Sequence, residues 1–251
     1  MGLLAVYDGN SAIFVAAAIL CIPTLIAVTR IRSEEIDCAR ARNAAKRDHS
    51  YDLQRIAELA KNRNLLVFAG CMVIFHFSNG SLLPIVGQNL GHSKAQLSPM
   101  FMAGLIIVPQ IVVMILAPWI GYWSEFLGRK PLLLVGFAVE VLRALLFTVV
   151  ADPRIMIAVQ LLDGVTGAIV TVLTILVITD LTTGTGRFNL ARGIFGTLTA
   201  FSAAISAGAF GLIIHQLGDV VGLAIMAAGT ALGMAVLWVS LPETKPKEYV
   251  D

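Results

Sequence analysis

The sequence predicts an all-α fold, a polytopic membrane helix bundle, and three observations predict it. Hydrophobic residues make up 57% of the 251 and charged residues only 14%, against roughly 25% charged in an ordinary soluble domain. Seven apolar runs each approach the twenty or so residues that cross a bilayer core. Lysine and arginine are concentrated in the connections on one side of those runs. The mean hydropathy of +0.84 agrees.

Residues 1–9 form a short lead-in containing Asp8 and Gly9. Asn10 to Thr29 are almost wholly apolar and long enough to span, and Pro23 inside them is a tolerated kink. This first run lacks a basic leader and is too long for a cleaved signal, so it is expected to remain in the membrane. The stretch Arg30–Arg63 carries nine Lys or Arg and six acids. It is too charged for lipid and reads as a linker, with Asp52–Leu59 a candidate amphipathic surface helix. Six spans follow at Asn64–Val86, Pro99–Ile120, Pro131–Val150, Ile155–Thr179, Arg192–His215 and Val220–Leu241, before a polar tail at 242–251.

Seven spans place the termini on opposite sides. The connections 30–63, 121–130 and 180–192 and the tail hold fifteen of the eighteen Lys and Arg, while Lys94 and Arg154 fall on the other side and Arg143 inside a span. By the positive-inside rule the N-terminus is outside and the C-terminus cytoplasmic, in a plasma (inner) membrane. Cys21, Cys38 and Cys71 are far apart. They suggest neither a disulfide framework nor a metal site.

Between the third and fourth apolar runs lies Gly121–Lys130, GYWSEFLGRK. It is expected to be a loop of about ten residues joining an antiparallel helix pair. Gly121, Glu125, Gly128, Arg129 and Lys130 resemble the loop motif G-x-x-x-D/E-x-x-G-R-R/K of the major facilitator superfamily, which sits between the second and third helices of each half. On that resemblance residues 10–29 correspond to span six, 30–63 to the central linker and 64–241 to the six-helix C-terminal half. The chain is then half of that fold plus one N-terminal span, and spans one to five are expected to be missing through truncation. The resemblance implies that Glu125 and Arg129 form a charge relay that latches the two halves together. The bland alternative for Glu125 is a solvated turn residue. Gly186-Arg187 through Ala191 and Gly193 resemble the loop before span eleven, and Leu241-Pro-Glu-Thr-Lys245 resembles the end of the last helix.

Polar residues inside spans are costly and mark partners, cavities or function. His76 and Asn79 lie one helical turn apart, beside Gly80 and Pro84, which weaken the helix there. They are candidates for a substrate or proton pathway, with interhelical hydrogen bonding the competing reading. Gln160 and Asp163 share a face next to Gly164 and Gly167 and are candidates for the same pathway. Glu140 and Arg143 are spaced to form an intramembrane ion pair, structural first and proton-coupling second. The triplet Asn79-Gly80-Ser81 lies inside a span, against use as a glycosylation site. The glycine-rich DLTTGTGRFNLARG at Asp180–Gly193 lacks the spacing of a phosphate loop, so no nucleotide site is read there.

No paired carboxylates, metal spacing or nucleophile elbow supports an enzyme. The expected function is secondary transport of a small solute, a drug or metabolite, coupled to protons. The alternative is a non-transporting membrane fragment acting as a structural partner. Expected partners are the solute, the proton, the lipid bilayer, and a missing N-terminal half or a second copy. Neither a cofactor, a metal nor nucleic acid is expected.

Overall fold

The computed structural model describes residues 10–31, 57–93 and 99–246. Most of the linker, Lys94, Cys38 and the last five residues lie outside them. Among the described residues the structure is helical, with no strand. The long helices are α1 (Asn10–Thr29), α2 (Arg63–Asn79), α3 (Leu82–Ser93), α4 (Pro99–Leu127), α5 (Arg129–Val149), α6 (Pro153–Thr182), α7 (Phe188–Leu217) and α8 (Asp219–Ser240). Among the described residues six segments are long and apolar enough to cross a membrane, the first of them, Arg63–Gly87, combining α2 with the start of α3. Helix α1, the first apolar run of the sequence, contributes a shorter apolar stretch, Phe14–Thr29. Its described side chains are exposed apart from Ala16.

The helix ends follow from the local sequence. Asn62 caps α2 by accepting the Leu65 N–H at 3.2 Å, and its amide donates to the Leu181 carbonyl at 3.3 Å. One side chain therefore starts α2 and ties it to the far end of α6. Asp152 caps α6 by accepting the Arg154 N–H at 2.7 Å, with Pro153 at the first helical position. Two helix pairs are joined by a single glycine each. Gly128 (φ 89°) separates α4 from α5, and Gly218 (φ 85°) separates α7 from α8, both in backbone that side chains disfavour.

Glycine also sets the helix spacing. A Cβ at Gly164 of α6 would sit 2.4 Å from the Val112 Cβ and 2.7 Å from the Pro109 carbonyl, so α4 and α6 touch backbone to backbone there. At the turn between α2 and α3, a Cβ at Gly80 would meet the Ala203 Cα of α7 at 2.8 Å. Ser81 and Ser206 hydroxyls meet at 2.5 Å on the same seam, and Ser202 donates to the Val73 carbonyl at 2.7 Å.

Helix α4 packs on α6 and α7 packs on α2. Likewise α5 packs on α6 and α8 packs on α2, while α5 and α8 pack on each other. Exchanging the triplet α2–α4–α5 with α6–α7–α8 leaves this pattern unchanged, as in a fold built from nested repeats. The interior divides along the helix axes into two apolar cores. One gathers Phe68, Met72, Phe75, Leu133, Phe137, Ile169, Leu173 and Leu237. The other gathers Leu82, Val86, Ala144, Phe147, Met156, Val159, Phe210 and Met226. Side chains such as Val239 and Met114 point outward, the apolar surface that a bilayer covers.

The expected ten-residue loop at Gly121–Lys130 is not a loop. Helix α4 runs through Leu127 and α5 begins at Arg129, leaving Gly128 as the whole connection. Charge in the stretch suggested a water-exposed loop, but a long amphipathic helix end carries the same residues without breaking. For the same reason α7 starts at Phe188, earlier than the apolar run beginning at Arg192.

Candidate functional site

A layer of polar side chains lies between the two apolar cores, at the same depth on three helices. On α2 it is Asn79, on α5 Glu140 and Arg143, on α6 Gln160 and Asp163. In α5 and α6 the layer separates positions of one core from positions of the other, and Asn79 joins it from the last residue of α2. Arg143, 1% exposed, is its hub. Its Nη1 lies 2.8 Å from Glu140 Oε1 and 2.8 Å from Asp163 Oδ1, and donates to Asn79 Oδ1 at 3.0 Å. Its Nε and Nη2 both donate to Gln160 Oε1, at 3.1 and 2.9 Å. The Phe147 ring lies against the guanidinium, its centroid 5.8 Å from Cζ.

Two features of this arrangement bear on chemistry. A guanidinium nitrogen such as Nη1 has two hydrogens, yet three acceptor groups crowd it. In addition two carboxylates share a single cation, so the layer is short of positive charge when both are ionised. The carboxylates differ in access: the Glu140 side chain is 1% exposed and that of Asp163 is 28%. The Gln160 Nε2 is buried without a hydrogen-bond partner. An unpaired donor there is costly, and it leaves one hydrogen-bonding position in the layer unfilled.

His76 does not join this layer, although it lies one turn from Asn79. Its ring meets Phe75 edge-on at 5.4 Å and borders a separate cavity of about 250 Å³ between α2, α6 and α7. Sequence spacing grouped His76 with Asn79, but helical rotation over three residues places them in different surroundings.

The motif residues form a second cluster at the other end of α5. Arg129 is nearly buried and donates from Nη1 to the Ser124 carbonyl at 2.7 Å. It pairs with Glu125 at 2.9 Å and with Asp180 of α6 at 3.1 Å. Gly121 supplies the carbonyl that accepts the Ser124 hydroxyl at 2.7 Å. The N-terminal end of α5 is capped from far along the chain. Glu243 accepts the backbone N–H of Arg129 at 2.8 Å and of Lys130 at 3.1 Å. Burial alone would raise the Glu243 pKa, but four backbone N–H donors, from Lys245, Arg129, Lys130 and Thr244, hold it below its usual value. A carboxylate at a helix N-terminus is favourable for the same reason. Lys245 in turn donates to the Glu125 carbonyl. A Cβ on Gly128 would lie 2.5 Å from Glu243 Oε2, so glycine is required there for room as well as for φ.

Sequence reasoning missed Asp180, Ser124 and Glu243 as partners of the motif, and missed Arg143 as a hub reaching three helices. The signal for Glu243 was present in Pro-Glu-Thr, read only as the end of a helix. For Arg143 the signal was the equal depth of polar residues in three apolar runs.

Residues 65–250 match the sequence profile described as Major Facilitator Superfamily. The chain belongs to the Major Facilitator Superfamily. It is a multi-pass membrane protein with the helical architecture described above. It is similar to uncharacterized MFS-type transporters of two strains of Mycobacterium tuberculosis, each 33% identical over 245 residues. That match covers 97% of this chain and 59% of each relative, so the chain spans about three fifths of the length of the curated relatives it matches. The superfamily is one of transporters rather than enzymes.

Proposed function

We propose that the chain carries a small solute, a drug or metabolite, as the C-terminal half of a secondary transporter driven by protons. The observation that carries this reading is the shared Arg143, with Asp163 the more accessible of two carboxylates competing for it. The layer holds two carboxylates for one cation, and Asp163 is the one that solvent reaches. Asn79 and Gln160 hold the guanidinium in either state. Glu140 and Arg143 form the fixed part of the layer, and His76 lines the solute route. The Gly121, Glu125, Gly128, Arg129 and Lys130 cluster is the conformational end of the half, where α4, α5 and α6 are locked together.

In this reading residues 1–29 are a lead-in and a span, 30–63 a cytoplasmic linker, 64–241 the six-helix half and 242–251 a cytoplasmic tail. The N-terminus is outside the plasma (inner) membrane. Alternating access requires two bundles rocking against each other, so a first half or a second copy completes the transporter. The second reading is a non-transporting membrane fragment that serves as a structural partner.

Reconstitution distinguishes these readings. The purified chain goes into liposomes with an imposed pH gradient and a panel of solutes, alone and co-expressed with the N-terminal five spans of a relative. Uptake only on co-expression, lost in Asp163→Asn, supports the half-transporter. No uptake in either setting, with the two pieces still co-purifying, supports the structural partner.

A further inference from the structure

The cavity between α2, α6 and α7 has a chemical bias that the polar layer does not share. Five polar side chains line it: His76 of α2, Thr171 and Thr174 of α6, and Arg192 and Thr199 of α7. None is an acid. The Thr174 hydroxyl is buried without a hydrogen-bond partner. The Thr199 hydroxyl donates to the Phe195 carbonyl at 2.9 Å, which leaves its lone pairs facing away from that bond. Among the described residues neither His76 nor Arg192 is in an ion pair, and these two are the titratable groups lining the cavity.

The acids on the surrounding helices are already engaged elsewhere. Helices α2 and α7 contain none. On α6 Asp163 is held by Arg143 at 2.8 Å and Asp180 by Arg129 at 3.1 Å, and neither lines the cavity. Among the described residues the cavity therefore presents a guanidinium, an imidazole and an unfilled hydroxyl donor, with no counter-ion lining it. We propose that it binds the carboxylate or phosphate group of an anionic solute. Arg192 supplies the charge, and His76 and Thr174 supply hydrogen bonds that fix its orientation. At about 250 Å³ the cavity is below the roughly 300–1,000 Å³ of pockets for drug-sized ligands, so it takes a small anion or the charged end of a larger one. Met72, Val170, Ile175 and Phe195 supply the apolar wall for the rest of the molecule.

This deepens the transport reading by naming a substrate class, and a binding measurement separates the two. The full chain, purified in neutral detergent, is titrated with benzoate and with inorganic phosphate, with tetramethylammonium as the cation control. Benzoate or phosphate should bind and tetramethylammonium should not. Arg192→Gln and His76→Gln should each weaken anion binding about tenfold or more, the scale of a lost charge-assisted hydrogen bond. Thr174→Val should weaken it by less, and Arg154→Gln, which removes an exposed charge away from the cavity, should leave it unchanged. Phenylglyoxal modification of Arg192, read by peptide mass spectrometry on the unsubstituted chain, should slow when benzoate is present. That second measurement stands even if a variant fails to fold. Equal binding of tetramethylammonium, anion affinity unchanged in Arg192→Gln, or an Arg192 unprotected by benzoate would overturn the proposal. Protection of Arg192 by phosphatidylglycerol micelles alone, with no effect of either soluble anion, would assign the cavity to a lipid headgroup and overturn it too. A chain that binds benzoate specifically but never transports it leaves the anion site standing and counts against the transport reading.

Discussion

Glu140 and Asp163 place one oxygen each 2.8 Å from the same nitrogen of Arg143, although one side chain is sealed and the other reaches the surface of the bundle. Their unequal access gives them unequal consequences on substitution. Arg143→Gln leaves two carboxylates without their cation inside the bundle, and a broken buried pair costs about 3–5 kcal/mol. The expected result is a large loss of folded protein, read by thermal melting in detergent. Arg143→Lys should rescue little, because an ammonium cannot span Gln160, Asn79 and both acids as the planar fork does.

Asp163→Asn should melt close to the unsubstituted chain, since its side chain is partly solvated and the amide can still accept from Arg143. Glu140→Ala should cost more than Asp163→Ala, because truncation at the sealed position leaves a cavity and takes from Arg143 a counter-charge that water cannot replace there. Comparing the two melting temperatures is the measurement. A larger loss at Asp163 would contradict the assignment of Glu140 as the fixed member.

Glycine at the two ends of one motif should respond oppositely. Gly128→Ala forces a side chain into backbone at φ 89°, ψ 171° and against Glu243, strain of about 1–3 kcal/mol. Gly121 is helical with nothing within 4 Å of an added Cβ. Gly121→Ala should therefore be neutral or stabilising by about 0.5–1 kcal/mol. Thermal melts of the two single variants decide it.

The cap on α5 should be acid-sensitive. Glu243 has a lower pKa folded than unfolded, so its contribution is fully present above its usual value of 4.5 and is lost as pH falls through the lowered one. A melt series from about pH 6 to pH 3 should show this decline. Glu243→Gln should flatten that part of the curve and start from lower stability at neutral pH.

Gly164→Leu should pry α4 from α6. The new side chain would need the space held by Val112 and the Pro109 carbonyl, and overpacking of this kind costs about 1–3 kcal/mol. Crosslinking between cysteines introduced on α4 and α6 near this contact should fall relative to the glycine chain.

The order of the six spans after the linker was readable because apolar runs of spanning length leave few alternatives, but the first of them, expected as one helix over Asn64–Val86, is broken at Gly80 into α2 and α3. The connections were less readable. Gly121–Lys130 has the charge of a loop, yet only Gly128 leaves helical geometry, because one residue of positive φ suffices to reverse the chain. Glu140 and Arg143 were paired from spacing along a single helix. Asn79, Gln160 and Asp163 came to the same guanidinium only through the rotation and depth of three helices, which no local pattern encodes. His76 parted from Asn79 for the same reason. Glu243 and Arg129 meet across 114 positions, and sequence spacing carries no information about such a contact.

That last separation has a consequence for how the molecule is made. Arg129 leaves the ribosome long before Glu243, about 6–23 s earlier at synthesis rates of roughly 5–20 residues per second. Through that interval the first N–H groups of α5 have no carboxylate to receive them, and the α4–α5 hairpin is held by Arg129 and its neighbours alone. Three further spans must be threaded before the cap arrives. The hairpin at the middle of the chain is therefore one of the last parts of the molecule to be finished, and a nascent chain stopped after α8 but short of Glu243 would carry every helix and still lack that cap.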